Sequence, residues 1–406
     1  MYGQDFINSN SAVIKVMGVG GGGCNAINSM ISSNVSSAEF IAVNTDNQAL
    51  LLSKADKRIQ IGTKLTKGLG AGSDPNIGEQ AAEESKEEII SYLEGTDLLF
   101  IAAGMGGGTG TGAASVIARL AREMGILTVA VVTKPFSFEG KVRNANANKG
   151  IANLKKHVDT LVIIPNDKLL QFLPAQTGML DAFKVADDML KQGIVGIVDL
   201  IATPSLINLD FADVNTVMRN QGLAHMGIGR AKGENRIIEA VRQAVSSPLL
   251  ETTIEGARSV ILNVTGGKDL MLTEINEAAT LVQGIIDDSA NIIFGATIDE
   301  SMVDEVKITV IATGFSAREQ VETETIAVKP AINFATTKTQ VVEDNVPPLL
   351  KVFENTEEEP VVKEKVEEIP EPIKIEPVLE PVEEVKQEEP KGRELPAFMR
   401  KLFKRN

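Results

Sequence analysis

The chain contains few of the residues on which metal centres and disulfide frameworks depend. Its 406 residues include one cysteine, which excludes a disulfide framework and a cysteine-rich metal site and is typical of a reducing compartment. The two histidines, His157 and His225, are too far apart in sequence to form a paired zinc-ligand motif. There is no tryptophan, so the core must be built mainly from Ile, Val, Leu, Ala and Met. We therefore expect no metal held by protein side chains alone.

Other absences narrow the class of protein further. The net charge of −15 argues against binding to the phosphate backbone of nucleic acids. The sequence shows no signal segment and no apolar run of membrane-spanning length. It also has neither a G-x-x-x-x-G-K-[ST] loop nor a G-x-S-x-G or Cys/His pattern for covalent catalysis. We expect a cytoplasmic protein that binds no nucleic acid and does not insert into the membrane.

The most informative stretch is the glycine-rich segment Gly104–Gly112. An apolar run over residues 98–103 precedes it with the length of a buried strand, and apolar residues at helical spacing follow it. A strand–loop–helix unit directs free backbone N–H groups and the positive end of a helix dipole to one point. Glycines also let the backbone approach phosphate oxygens closely. This segment predicts a phosphate-binding loop.

A second glycine loop, Gly18–Gly23, follows a predicted strand over residues 13–17. It satisfies the dinucleotide motif G-x-G-x-x-G, with Asp46 at the sequence distance of a ribose-binding acid. By itself this favours a nicotinamide-dependent oxidoreductase. However, Asp46 falls past the end of the next predicted strand, and one pyrophosphate does not need two glycine loops on separate strands. A nucleotide with a triphosphate chain would use both.

A third glycine-dense segment, Lys67–Gly72, precedes Asp74-Pro75, which is typical of a helix start. This segment is either a surface turn or a loop that senses the terminal phosphate of the nucleotide.

Alternating apolar strands and helices predict a parallel sheet covered on both faces, which binds ligands at the carboxyl ends of its strands. Glu139, Arg143 and Asn166 fall just past predicted strand ends. They either converge on one crevice or are ordinary solvated residues.

A long apolar helix is predicted from about residue 178 to 202. Phe183 and Asp187 stand four residues apart and therefore share one face of it. An aromatic ring that stacks on a base, beside a carboxylate that accepts from its N–H groups, would suit guanine. The same spacing also fits one core residue and one surface residue.

Two acids, Asp210 and Asp213, follow this helix and can share one side of a first helical turn. Their simplest role is a cap, in which Asp210 accepts from the free N–H groups of a helix ending near residue 220. Beyond them, the alternating pattern predicts a smaller α/β unit without glycine loops or acid–base clusters.

The C-terminal quarter changes character. Residues 317–392 are rich in Glu, Pro and Val and lack a hydrophobic period, which predicts a disordered acidic linker. The last residues regain helical spacing with basic residues in between, which predicts a peptide that folds when it docks on a partner. Its apolar positions are Leu395, Phe398, Met399, Leu402 and Phe403.

Taken together, the segments GGGTGTG, GVGGGGCN, KGLGAG, NLDFAD and ELPAFMRKLF resemble the FtsZ family, the bacterial tubulin-like cell-division GTPases. The resemblance implies an α/β, tubulin-like fold in which a long central helix joins a Rossmann-type parallel-sheet GTPase domain to a smaller α/β activation domain. The implied boundaries are a flexible N-terminus (1–11), the GTPase domain (12–177), the central helix (178–203), the activation domain (204–316), the linker (317–392) and a partner-docking peptide (393–406).

The resemblance also implies roles for individual residues. GTP or GDP, with Mg²⁺ bound mainly through its phosphates, would be held by Gly21, Gly22, Gly23, Cys24, Asn25, Asn44, Ala71, Gly72, Gly107, Gly108, Thr109, Gly110 and Thr133. Glu139 and Arg143 would contact the ribose region, and guanine would be read by Asn166, Phe183 and Asp187. Asp210 and Asp213 would act on the GTP of the neighbouring subunit in a head-to-tail filament. Cys24 is expected to contribute its backbone, and a reactive thiol at this helix start stays open.

Partners and location follow from the same resemblance. The protein would form the cytokinetic ring at the mid-cell division site, on the inner face of the membrane. Membrane-tethering adaptors and division regulators would bind Leu395, Pro396, Phe398, Met399, Leu402 and Phe403. Two alternatives stay open. The first is an oxidoreductase that uses Gly18–Gly23, and the second is a tubulin-like GTP-binding regulator that does not assemble.

Overall fold

A computed structural model describes residues 12–315, apart from residues 34, 36, 171–172, 174–175, 203–204, 208, 247–253 and 288. The predicted N-terminal segment, acidic linker and docking peptide lie outside the described residues. Within that range the strands are β1 Ile14–Val19, β2 Glu39–Asn44, β3 Lys57–Gln60, β4 Leu98–Gly104, β5 Leu127–Lys134, β6 Thr160–Pro165, β7 Gly222–Lys232, β8 Ser259–Gly266, β9 Asn291–Ile298 and β10 Glu305–Thr313. The helices are α1 Gly20–Ser32, α2 Asn47–Leu51, α3 Thr63–Thr66, α4 Pro75–Glu84, α5 Lys86–Leu93, α6 Thr109–Glu123, α7 Lys141–Leu154, α8 Asn166–Leu169, α9 Met179–Ala202, α10 Phe211–Met218, α11 Arg236–Val245 and α12 Leu272–Gln283.

The strands of the described residues form one sheet in the order β3-β2-β1-β4-β5-β6-β7-β10-β8-β9. Neighbouring strands from β3 to β7 are parallel, β10 is antiparallel to both of its neighbours, and β8 and β9 are parallel. The smaller α/β unit thus extends the first sheet rather than forming its own, because β6 pairs with the beginning of β7.

The sheet is covered on both faces, as its apolar strands predicted. Successive residues of β1 point to opposite sides, so Val16 packs in the layer that contains α1 and α9, and Met17 packs in the layer that contains α6 and α7. β1 has no exposed position, and apart from the buried Lys15 its residues are apolar. A third cluster, between α11, α12 and the strands β8 and β10, forms the core of the C-terminal part.

Helix α9 is the longest element of the described residues. Its 24 residues extend for about 36 Å at the usual helical rise. It packs against α1 and β5 along its course. None of the described helices is long and apolar enough to cross a bilayer.

Candidate functional site

Two helices begin with free backbone N–H groups at neighbouring positions of the sheet. α1 starts directly after β1 and α6 starts just after β4, and these two strands are adjacent. Neither N-cap residue, Val19 or Gly108, supplies a side-chain cap. The first N–H groups of both helices are therefore open at one edge of the sheet, which is the arrangement that binds anions.

The glycines of these two loops fall into two groups. Gly20 has a positive φ of 72°, and a Cβ on it would lie 2.7 Å from the backbone nitrogen of Gly110. A Cβ on Gly110 would lie 2.9 Å from the carbonyl oxygen of Gly104, so these glycines are required by backbone packing. By contrast, a Cβ on Gly21 or Gly107 would meet no atom within 4 Å. These two glycines border open space that a ligand can enter.

A pair of buried hydroxyls joins the end of β2 to the phosphate loop. Thr45 Oγ1, just past the end of β2, lies 2.6 Å from Thr109 Oγ1 at the start of α6. Within the loop, Gly106 N–H donates to Thr111 Oγ1 at 2.8 Å. Sequence reasoning missed Thr45, although its place directly after a strand end was a usable signal.

A cleft of about 320 Å³ opens beside the start of α1. Nine residues named from the sequence line it, namely Gly21, Gly22, Asn25, Thr133, Glu139, Arg143, Asn166, Phe183 and Asp187. Glu139, Arg143 and Asn166 therefore converge on one crevice. The lining also includes Gly104 and Met105 of the predicted phosphate-binding loop, together with three residues that have no site-like sequence signal: Pro135, Ala186 and Leu190.

One end of the cleft carries an unsatisfied acceptor and a carboxyl group with a raised pKa. The Asn166 Oδ1 atom is buried and has no hydrogen-bond partner among the described residues. Burial raises the pKa of the Asp187 carboxyl to about 7, and the nearby charge of Asp188 contributes in the same direction. A buried acceptor without a donor is costly, so this end of the cleft fits a ring that presents N–H groups.

An aromatic group closes the same end. The half-buried ring of Phe183 lies 5.4 Å from Phe136 and 6.3 Å from Phe138, nearly perpendicular to both. The turn that carries Phe136 and Phe138 is held by Glu139. This side chain accepts from the Phe136 N–H at 2.8 Å and pairs with Arg143 at 2.9 Å. The position of Phe183 is therefore fixed by packing before any base binds.

The Cys24 thiol is buried, which counts against a reactive thiol at this helix start. It is buried in the first turns of α1, and its Sγ atom lies 3.6 Å from the carbonyl oxygen of Gly18. Burial raises the pKa of this thiol to about 11, so it is protonated near neutral pH. Gly23 and Asn44, named with it from the sequence, are also buried beside this turn.

The glycine-dense segment Lys67–Gly72 packs against the phosphate loop. A Cβ on Gly108 would lie 2.7 Å from the Cβ of Ala71, so the two segments touch. Gly72 lines a second cavity of about 400 Å³ together with Asp74 and Gly112, next to the start of α6. The segment is thus more than an isolated surface turn.

Asp46 is engaged elsewhere and does not face the cleft. Its Oδ1 atom accepts from the N–H groups of Gln48 and Ala49 at 2.8 and 3.3 Å and caps α2. The acid that a dinucleotide-binding enzyme would use for the ribose is therefore occupied in a helix cap. This counts against the oxidoreductase alternative.

Asp210 and Asp213 lie apart from the cleft. They follow the far end of α9, whose first turns carry Phe183 and Asp187, and neither acid is among the residues that line the cleft. Asp210 Oδ1 accepts from the Asp213 N–H at 2.8 Å, and Asp213 Oδ2 accepts from the Asp210 N–H at 3.2 Å. The expected cap of α10 is confirmed, as a reciprocal capping box.

In the described residues, no group of three or more His, Cys, Asp or Glu side chains is placed to hold a metal ion.

The C-terminal part contains a charge cluster that was not predicted from the sequence. The buried guanidinium of Arg236 pairs with Asp269 and with Glu274, and it lies 3.7 Å from Asp304. These partners come from separate segments, which is why no local pattern revealed them.

Comparisons with known proteins agree with this geometry. Residues 13–174 match the GTPase-domain model of the Tubulin/FtsZ family, and residues 222–316 match the C-terminal-domain model of the FtsZ family. An empty FtsZ dimer from M. jannaschii is 48% identical, with a TM-score of 0.73 over 76% of this chain and 90% of that chain. A point mutant of M. jannaschii FtsZ has the same identity and TM-score and is covered over 93% of its length.

A more distant structure shares the fold alone. CetZ2 from Haloferax volcanii, solved as a GTPγS-bound protofilament, is 21% identical, with a TM-score of 0.67 over 77% of this chain and 96% of that chain. With two family models matched and a relative at 48% identity, the oxidoreductase hypothesis is wrong. The chain belongs to the FtsZ family of tubulin-like GTPases.

Proposed function

We propose that this protein binds GTP in the cleft at the start of α1 and hydrolyses it only within a head-to-tail filament. One observation carries the proposal: Asp210 and Asp213 follow the opposite end of α9 from the cleft. A helix of about 36 Å separates the two regions along the chain. The acids of one subunit therefore act on the nucleotide that the next subunit holds.

The nucleotide roles follow from the lining of the cleft. Guanine N–H groups donate to Asp187 and Asn166, whose acceptor atoms are desolvated, while the base stacks on Phe183. Glu139 and Arg143 contact the ribose. The phosphates lie over Gly21, Gly22, Gly23, Cys24, Asn25, Asn44, Ala71, Gly72, Gly107, Gly108, Thr109, Gly110 and Thr133.

Hydrolysis needs an oriented water and stabilisation of the phosphate charge. Each acid uses one carboxylate oxygen in the cap, so the other oxygen is available to a water at a subunit interface. That water attacks the γ-phosphorus, the bond to the bridging oxygen breaks, and GDP and phosphate are the products. Mg²⁺ held mainly by the phosphates would supply charge neutralisation when bound.

Exposed apolar residues lie both beside the cleft and near the two acids, and they support contact with a second copy of this chain. On the cleft side, Leu69 is 84% exposed and Val142 is 76% exposed. Near the acids, Leu206 is 73% exposed and Ile207 is 42% exposed. Two different surfaces that meet in this way form a heterologous contact, which grows an open filament.

The cellular role that fits is assembly of the cytokinetic ring at the division site in the cytoplasm. The proposed domain boundaries are those that the family resemblance implies. The acidic linker tethers the peptide at 393–406, which recruits membrane-anchoring adaptors through Leu395, Pro396, Phe398, Met399, Leu402 and Phe403.

A complementation assay tests the shared site. Asp213→Ala keeps the cleft and removes an acid, whereas Gly107→Asp places a negative charge where the phosphates bind, in a position with free space for a side chain. Each variant alone is expected to be inactive. An equal mixture is expected to regain about a quarter of wild-type turnover, because random pairing creates that fraction of complete sites. A mixture as inactive as its components would refute the proposal.

The non-assembling regulator is distinguished by concentration dependence. Turnover per subunit should rise with protein concentration at the dilute end, and light scattering should increase with GTP but not with GDP. Constant turnover down to the dilute monomer would favour the regulator instead.

A further inference from the structure

The loop that leads into Asp210 is attached to the outermost strand of the sheet. Ile207 and Ala296 of β9 exchange both backbone hydrogen bonds, at 3.2 Å each, and form an antiparallel bridge outside the main strands. β9 is the edge strand next to β8, so this bridge is its pairing on the open side. The attachment lies three residues before Asp210.

A series of hydrogen bonds between side chains supports the same loop. Ser205 Oγ lies 3.1 Å from Thr297 Oγ1, which lies 3.4 Å from Asn263 Oδ1, and Asn263 Nδ2 donates to Thr265 Oγ1 at 3.2 Å. The Asn263 amide presents its oxygen to Thr297, so Thr297 donates there and is left as an acceptor for Ser205. Asn263 and Thr265 are both buried, which makes this series of hydrogen bonds rigid.

The residue directly before Asp210 is fixed by packing. Leu209 is 3% exposed, and a Cβ on Gly295 would lie 2.9 Å from its Cδ1 atom and 2.8 Å from Asn263 Oδ1. Gly295 has no positive φ, so its backbone does not require glycine. The missing side chain instead creates the space in which Leu209 sits. Ser205, Ile207 and Leu209 thus contact β9 at alternate positions, as a short strand would.

We propose that Gly295 and Thr297 are positioning residues for GTP hydrolysis, which set the place of Asp210 and Asp213 by holding the preceding loop in register on β9. This inference rests on the proposed role of the two acids. Neither residue touches the nucleotide of its own subunit, because the cleft is lined by other elements. Since a shift of about 1 Å in a reacting group can cost up to about 100-fold in rate, a small displacement of this loop has a large effect on turnover.

Two substitutions test the proposal in the full chain. Gly295→Ala pushes Leu209 outwards and should lower kcat at least about tenfold, with unchanged affinity for GDP. Adding Leu209→Ala relieves the contact with Leu209 but not the one with Asn263 Oδ1, so the double variant should lose less activity than the two single losses multiplied together without regaining wild-type kcat. Thr297→Val removes the hydroxyl at constant size and should lower kcat about threefold or more, while Thr297→Ser keeps the hydroxyl and should retain wild-type kcat.

Thr280→Val is the matched control. Its exposed hydroxyl donates to the carbonyl oxygen of Asn276 within helix α12, so kcat should stay at the wild-type value. If Gly295→Ala fails to fold, as judged by circular dichroism, the Thr297 pair decides the question. Wild-type kcat in Thr297→Val, or equal losses in Thr297→Val and Thr297→Ser, would overturn the inference.

A parallel measurement of Asp213→Ala distinguishes failure of the proposed function from failure of the positioning role. Full turnover in Asp213→Ala contradicts the proposed function itself. An inactive Asp213→Ala together with full turnover in Gly295→Ala and Thr297→Val contradicts only the positioning role.

Discussion

Nucleotide affinity should depend on pH through a single carboxyl group, that of Asp187. The perturbation is Asp187→Asn, which keeps the size of the side chain and removes its charge. Burial, aided by the neighbouring charge of Asp188, raises the pKa of Asp187 to about 7 in the nucleotide-free protein. Guanine N–H donors favour the ionised form, so a protonated Asp187 must release its proton before the base binds.

The size of the effect follows from that pKa. With a pKa of about 7, roughly a tenth of the protein holds Asp187 ionised at about pH 6, and roughly nine tenths does so at about pH 8. GDP affinity should therefore fall about tenfold, or about 1.4 kcal/mol, from pH 8 to pH 6. The folded pKa lies above the ordinary value of 3.8. The same group therefore makes the nucleotide-free protein less stable as pH rises from about 4 to about 7.

Calorimetric titration of GDP into dilute protein measures this dependence without hydrolysis. Asp187→Asn should bind GDP more weakly at about pH 8 and lose most of the pH dependence, and the difference between the two curves removes any titration of the phosphates themselves. Asp188→Asn is the second control, because loss of its charge should lower the pKa of Asp187 and move the midpoint to lower pH. Equal pH dependence in the wild type and in Asp187→Asn would refute the reasoning.

Four further predictions address other parts of the molecule. Gly107→Ala should weaken GDP binding about tenfold without changing the melting temperature, since its Cβ meets only open space. Gly112→Ala should lower the melting temperature, since its Cβ would lie 2.0 Å from a carbonyl oxygen, and calorimetry separates the two effects. Arg236→Met should destabilise the fold by about 3 kcal/mol in urea titrations, because it leaves the largely buried Glu274 without its cation, and a smaller loss in Arg236→Lys would support this cause. Deleting residues 393–406 should leave GTPase activity intact and abolish adaptor binding in a pull-down, and lost GTPase activity would contradict that division of roles.

The parts of the site that were predictable from sequence are those with local signals. The glycine loops stand between an apolar run and a helical period, and Asp74 precedes a proline at a helix start, where it accepts from the Asn76 N–H at 2.9 Å. Phe183 and Asp187 share a face because of helical spacing alone. In each case the chemistry is visible within about a dozen residues.

The missed parts depend on contacts between distant segments. The short edge strand β3 is partly exposed and carries mostly polar residues, so it shows no apolar run. The Arg236 cluster draws on segments that are separated by more than thirty residues. The continuation of the sheet from β6 into β7 depends on a pairing of only three residues, which no composition or period records.

The separation of cleft and acids by α9 gives any stack of these subunits two chemically different tips. In the proposed filament, the nucleotide at one tip would face solvent without the acids of a next subunit, so the last subunit would keep its GTP. At the other tip, the acids project into water with nothing to act upon. Under the proposed mechanism, each newly joined subunit would trigger hydrolysis in the subunit it covers, so older subunit interfaces would hold GDP and the newest would hold GTP.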